Sequence, residues 1–481
     1  MVNQQLDSRI TEWLNAHREE LVAQWMELVR IPSLQEKSAQ GAPFGMPCKK
    51  ALEKAADYYA QAGISVKIEE DGYYALAEYG KGEKTIGLFG HCDVVSAGEG
   101  WCLTEPFDPL IKNGYLVGRG SGDNKSGVMA SLAVMRIFKE LNIPLKSRIF
   151  AFVGPNEESG MADIRRFTEQ EKMPDLSLVP DSSFPCCLGE KSILRFMTEC
   201  DTSFRDILDF SGGQAMNVVL DEATVTLRKK EGLTEELLAR IDGRKEYALT
   251  VQNDTVHLKS YGVPKHAGNP EGSVNAAVLA AALLQECNAI CEEDRACMKQ
   301  LTLWLTDYWG SGFGIAHTDP EFGKLTVANG IVRAENGRLS FSADIRFGTN
   351  LDHLETENKI TRLLQENGWR ITFINNRKGF KADKTSLFPN AFVALYHALT
   401  GAKGKPYYMS GGTYARYLNN AFAVGTQAFD AGSRAVRLDL PEGHGGAHQR
   451  DEIASIDAYL QAVRVLVHYI LESDRLLNEM M

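Results

Sequence analysis

The sequence has no apolar run long enough to cross a membrane. Its most apolar stretch, AAVLAAALL over Ala276–Leu284, is far short of the ~20 residues a spanning helix needs. Basic residues are also in deficit. Lys and Arg total 52 against 63 Asp and Glu, a formal charge of -11. Phosphate backbones are bound through a basic footprint, so the acidity argues against nucleic acid as the natural partner. The opening residues, MVNQQLDSRITEWLNAHREELVAQW, lack a basic segment followed by an apolar one. No secretory leader is expected, and the expected location is cytoplasmic. The nine cysteines form no disulfide framework. Cys186-Cys187 and Cys287, Cys291 and Cys297 lack the CxxC spacing of a zinc site, which leaves reduced thiols as the expectation. There is no tandem repeat and no low-complexity linker.

What remains is a globular composition, 44% hydrophobic and 24% charged, on a chain whose 481 residues lead to an expectation of two or more domains. Ile10, Trp13, Leu14, Leu21, Trp25 and Leu28 recur at helical spacing, and Pro32 stops that helix. A second helix is predicted from Pro47 to Ala62, and a third over Val128–Leu141. SVKIEE, YALAEYG, TIGLFGHCDVV and SRIFAFVGP read as strands. Strands alternating with helices predict an α/β fold with a mixed, largely parallel sheet and flanking helices. In such sheets chemistry gathers at the carboxyl ends of strands. Residues 191–381 change character, mixing strand runs (ALTVQ, TVHLKSYG, LSFSADIRF, WRITFIN) with helical ones (SVNAAVLAAALLQECNAI, HLETENKITRLLQENG). This predicts an inserted α+β domain, with residues 1–190 and 382–481 joining into one discontinuous domain.

Five segments carry candidate chemistry. In GHCDVV, His91 and Asp93 fall two apart, so a strand turns both to one side. That suits a metal-ligating imidazole and the carboxylate that orients it, although H-x-D is also an ordinary surface pair. In GRGSGDNKSG, Asp123 sits among glycines before a helix, where a plain helix cap is the bland alternative. In GPNEESG, Glu157 and Glu158 follow an apolar strand, so one can bind a metal while the other acts as a base; a solvated acidic turn is the alternative. VPDSSFP places Asp181 after another apolar run. Late in the chain, EGHGGAHQRDE offers both His444 and His448, and the residues alone leave that choice open. Mixed His and carboxylate ligands suit zinc, with manganese or cobalt as alternatives.

The ordered series H-x-D, G-x-x-D-[DN]-K, E-E-S-G, P-D-x-x-F-P and H-Q-x-x-E resembles the aminoacylase/carboxypeptidase G/carnosinase family of co-catalytic metallopeptidases. It is most similar to the PepV-like dipeptidases, of Xaa-His dipeptidase type. The resemblance spans nearly the whole chain. It implies two divalent ions, zinc first, held by His91, Asp123 as the bridge, Glu158, Asp181 and His448. It implies Asp93 as the group orienting His91, and Glu157 as the general base toward a water bridging the two ions. The inserted domain would be the family's lid. There the resemblance implies Asn217 near the substrate, His266 stabilising the oxyanion, and Arg346 gripping the peptide carboxylate; beyond the inserted stretch, Gly411 and Gly412 of SGGTYAR would line the substrate pocket. The implied partner is a small peptide and no membrane, and the implied state is a monomer, with a homodimer as the alternative. Three positions depart from the pattern: Asn124 and Asn156 stand where Asp is frequent, and Met216 where a small residue or Pro is usual.

The expected function is therefore metal-dependent hydrolysis of dipeptides or short peptides. An N-acyl-amino-acid deacylase or carboxypeptidase could use the same centre. A catalytically silent relative is a second alternative, disfavoured by the presence of Glu157 and every ligand type. A phosphate-binding enzyme fails, because GRGSGDNKSG lacks P-loop spacing and carries Asp123 where anions would sit.

Overall fold

Seven consecutive buried residues, Thr85–His91, form the central strand of the first sheet. A strand buried along its whole length is covered on both faces. Its neighbours Arg148–Gly154 and Leu176–Ser183 run parallel to it, and Ala421–Gln427 runs parallel to Leu176–Ser183. The borders are antiparallel: Ser65–Ile68 pairs Ala75–Tyr79, which pairs Arg148–Gly154, and Cys186–Glu190 pairs Ala421–Gln427. The border has a topological cause. Ser65–Ile68 and Ala75–Tyr79 are joined by a connection too short to cross over, so they must pair antiparallel.

The computed structural model describes residues 2–427 and 438–479. The chain divides into two units. One is Met1–Gly189 with Lys381–Tyr407 and Thr413–Met481; the other is Glu190–Phe380 with Tyr408–Gly412. Gly411 and Gly412, expected in the same domain as the metal ligands, thus belong to the second unit. The physical reason is local: Arg346 Nη1 donates to Ser410 O at 2.9 Å, and Lys191 N–H donates to Met409 O at 3.0 Å.

In the first unit, helices Lys125–Glu140 and Ile456–Glu479 pack together and against the sheet, and Gln4–Val29 packs on both. Phe167, from helix Ala162–Gln170, meets Phe89, Phe150 and Phe152 of the sheet, with ring centroids 5.3–5.9 Å apart. The helix predicted from Val128 begins at Lys125, directly behind Asp123 and Asn124. A small sheet of Ile453–Ser455, Tyr115–Val117 and Leu110–Lys112 lies in the same unit.

The second unit is an antiparallel sheet with helices Leu233–Ile241, Ala276–Leu284, Glu292–Leu305 and His353–Glu366. Its core gathers Phe196, Phe341, Trp304 and Trp369, all essentially buried. Asn275 caps the helix Ala276–Leu284, accepting from the N–H groups of Ala277 and Val278 at 2.9 and 3.4 Å.

Candidate metal centre

His91 ends one parallel strand, Glu157 and Glu158 follow the next, and Asp181 lies near the end of the third. The three strands are neighbours, so their carboxyl ends deliver one imidazole and three carboxylates to one place. The other two contributors arrive through the small sheet. Tyr115–Val117 leads into the loop bearing Asp123, and the chain bearing His448 leads into Ile453–Ser455, which pairs with Tyr115–Val117.

The distances show the convergence. His91 Nε2 lies 3.1 Å from Asp123 Oδ1 and 3.7 Å from Asp181 Oδ2. His448 Nε2 lies 3.1 Å from Asp123 Oδ2 and 3.0 Å from Glu158 Oε1. Asp123 therefore turns one oxygen to each histidine. Donor atoms of His91, Asp123 and Glu158 all fall within 4.8 Å of one another. Asp123 is not a helix cap: Asn124 holds the cap position and makes no capping bond. His444 is elsewhere, with Nδ1 at 2.6 Å from Asp451 Oδ2.

Asp93 lies beneath the centre and is buried. Its Oδ1 is 3.3 Å from His91 Nδ1, and its two oxygens accept the N–H groups of Glu157 and Glu158, each at 3.1 Å. One carboxylate thus fixes the imidazole and the Glu pair together. Glu157 is buried, and its Oε1 has no hydrogen-bond partner.

Five carboxyl groups share this space with two imidazoles, and their proton affinities reflect it. Burial pushes the Glu157 carboxyl well above the usual range; the His91 charge opposes this, and Asp181, Glu158 and Asp123 add to it. Burial and the Asp123 charge also raise Glu158. Burial opposes the charge on His448, but bonds to Asp123 and Glu158 prevail and hold it up at about 11. His91 is likewise held well above its ordinary value by Asp181, Asp123 and Asp93 against burial. Five clustered carboxyl groups facing two imidazoles make a donor set that fits divalent cations.

Two features were not legible in the motifs. Glu452 accepts the N–H groups of Gly120, Gly122 and Asp123 at 2.8–3.0 Å, while its Oε2 receives Arg119 Nη1 at 2.7 Å. Both side chains of that ion pair are 1% exposed. Glu452 thus ties the Asp123 loop to the segment bearing His448. Asp163, buried behind the Glu pair, accepts from Asn156 N–H at 2.8 Å and from the Tyr414 hydroxyl.

The second unit brings together most of the remaining candidates. Arg346 Nη2 lies 3.4 Å from His266 Nε2, and Val218, beside Asn217, bridges to His266. Ser410, next to Gly411 and Gly412, accepts from Arg346 and donates to Gly268 O. Arg346 is not an open guanidinium fork: Asp344 accepts from its Nε and Nη2 at 2.9 and 3.2 Å. Met216 makes no contact that accounts for the departure there.

A carboxylate-rich His/Asp/Glu centre at the carboxyl ends of parallel strands is the equipment of a metal-dependent hydrolase. Residues 87–472 match peptidase family M20/M25/M40, and the chain belongs to that family of metal-dependent peptidases. It is 27% identical over 477 residues to YtjP of Bacillus subtilis strain 168, provisionally named a dipeptidase, covering 95% of this chain and 97% of that one. Among solved structures it resembles human carnosine dipeptidase 1, at 16% identity and TM-score 0.60 over 98% of this chain and 99% of that one. It also resembles the dipeptidase Dug1p of Saccharomyces cerevisiae, at 12% identity and TM-score 0.61 over 98% of each chain. These two likenesses establish the fold.

Proposed function

We propose that this protein hydrolyses dipeptides or short peptides at a two-cation centre, with Glu157 as the general base. His91 and Asp181 would hold one ion, Glu158 and His448 the other, and Asp123 both. When bound, the ions supply Lewis-acid activation of the attacking water and the scissile carbonyl. Zinc suits this mixed His and carboxylate set, with manganese and cobalt as alternatives. Glu157 takes the proton from the attacking water and passes it to the leaving amine. Asp93 keeps His91 in one tautomer and orientation. From the second unit we assign substrate roles to Asn217, His266, Arg346, Gly411 and Gly412, with His266 as the oxyanion stabiliser. A monomer acting in the cytoplasm completes the reading. Among the described residues, no helix is long and apolar enough to cross a membrane.

The observation that supports this reading most is Asp123, with one oxygen 3.1 Å from His91 and the other 3.1 Å from His448. A carboxylate presented to two sides of one site, beside a buried glutamate with an unpartnered oxygen, suits paired ions and a proton acceptor. The dipeptidase name of the curated relative supports a small-peptide substrate. The test is a substrate panel on protein stripped with a chelator and reloaded with zinc, manganese or cobalt. Dipeptides should turn over only in the reloaded samples, and faster than N-acetyl amino acids or longer peptides. Faster cleavage of N-acetyl amino acids would establish the deacylase alternative, and silence with every metal the inactive one.

A further inference from the structure

Cys102, His444 and Asp451 lie outside the centre described above, yet donor atoms of all three fall within 4.8 Å of one another. We propose that these three residues form a separate cation site for a thiophilic divalent metal such as zinc. The inference does not rest on the proposed peptidase mechanism.

Asp451 organises the place. It is fully buried, and its Oδ1 accepts the N–H groups of Cys102 and Leu103 at 2.9 and 2.8 Å. Its Oδ2 faces His444 Nδ1 at 2.6 Å and also lies 3.0 Å from the Cys102 N–H. The carboxylate is thus fixed before any cation arrives, and one of its oxygens already points at an imidazole nitrogen. Cys102 is exposed, so a cation can enter from solvent and water can complete its shell. One thiolate, one imidazole, one carboxylate and a water make a tetrahedral zinc set, and the thiolate favours soft cations over magnesium or calcium. On binding, the cation takes the place of the proton between Nδ1 and Oδ2, and the neutral ring shifts that proton through solvent to Nε2. The Cys102 thiol gives its proton to solvent, and Sγ, Nδ1 and Oδ2 become the ligands.

A third cluster differs in its access to solvent rather than in how far its carboxylates are engaged. Asp206, Cys291 and Asp294 are equally close. There Asp294 accepts from the N–H groups of Arg205, Asp206 and Ile207, while Asp206 is taken by Cys291 N–H and Lys230. Those carboxylates bind turns in the chain, as Asp451 does at Cys102 and Leu103, but none of the three residues there is exposed. At Asp451 the site opens to solvent at Cys102, and a bound cation would clamp the loop at Cys102 to the turn that precedes His448.

Two measurements on the full chain test the site. Cobalt loaded into the wild-type protein should give a thiolate-to-cobalt charge-transfer band in the near ultraviolet. The centre proposed for catalysis contains no thiolate, so it cannot produce that band. Cys102→Ser, an exposed and nearly isosteric change, should abolish the band and leave one ion fewer per chain. No band in the reduced wild type, or an unchanged band in Cys102→Ser, would overturn the proposal. The second measurement needs no thiol variant. Zinc at ten times its Kd should slow alkylation of Cys102, mapped by mass spectrometry, by ~10-fold through occupancy alone. His444→Ala should lose that protection. Alkylation of Cys102 at the same rate with and without zinc in the wild type would equally refute the site.

Discussion

Asn124 must satisfy one donor and one acceptor at once. Its Oδ1 accepts the His91 N–H at 3.2 Å, and its Nδ2 donates to Pro180 O at 2.6 Å. It is fully buried and so stitches the end of the His91 strand to the residue before Asp181. An ionised carboxylate could not donate to the Pro180 carbonyl, which accounts for the amide in this chain. Asn124→Asp is expected to leave that carbonyl unpaired at a cost of about 1–3 kcal/mol, read by urea denaturation. A neutral result would show that the amide's donor is dispensable. Asn156 has a comparable local reason: its Oδ1 accepts from Ala162 N–H at 3.0 Å and closes the loop that carries Glu157 and Glu158.

At the scale of elements, the centre depends on loops held by buried charge. Arg119 and Glu452 pair with both side chains 1% exposed, and Glu452 also fixes the N–H of Asp123. Arg119→Met removes one partner and strands a buried carboxylate, for which about 3–5 kcal/mol of stability should be lost. Metal affinity should fall with it, measured by calorimetry on the same variant. Unchanged stability would mean that Glu452 is held by its backbone donors alone. Helix packing constrains the same region: a Cβ at Gly127 would lie 2.3 Å from Pro180 O, so the helix behind Asp123 approaches the Asp181 strand only through glycine. Much of this was legible in the sequence. Apolar runs announced the strands that lead to His91, Glu157 and Asp181, because burial on both faces leaves a continuous hydrophobic signal. Glu452 and Arg119 were not legible as a pair, since the contact joins residues 333 positions apart and neither sits on a periodic apolar pattern. The strands Ile207–Gly212 and Glu222–Arg228 also went unread: Asp209 interrupts the first, and charged residues at both ends frame the second.

At the scale of the whole molecule, cations and protons compete for one set of donors. With no cation bound, His448 is held at about 11 by Asp123 and Glu158. That value is raised above the ordinary 6.5, so the pairing stabilises the fold fully below pH 6.5 and is lost as pH rises through about 11. A cation must displace the His448 proton, so metal affinity should strengthen as pH rises from neutrality. Calorimetry in buffers of different ionisation enthalpy should show net proton release on loading. Proton uptake, or none, would contradict the ligand set. Loading should also raise the melting temperature, because cations that bind only the folded chain stabilise it by mass action. The second unit has a different pH limit. Burial opposes the Glu236 charge, but bonds from Asn288 N–H, Arg240, Cys287 and Ala289 N–H hold that carboxyl at about 2. Its contribution is present above pH 4.5 and lost as pH falls toward 2.

The claim on which the rest depends is that donors from position 91 to position 448 gather around paired cations while Glu157 stays free to carry a proton. The most direct test is Glu157→Gln, with metal content and dipeptide turnover measured on one sample. The account predicts wild-type metal content and a loss of about 10²- to 10⁴-fold in kcat. Near-normal turnover at full metal loading, or loss of metal together with activity, would contradict it.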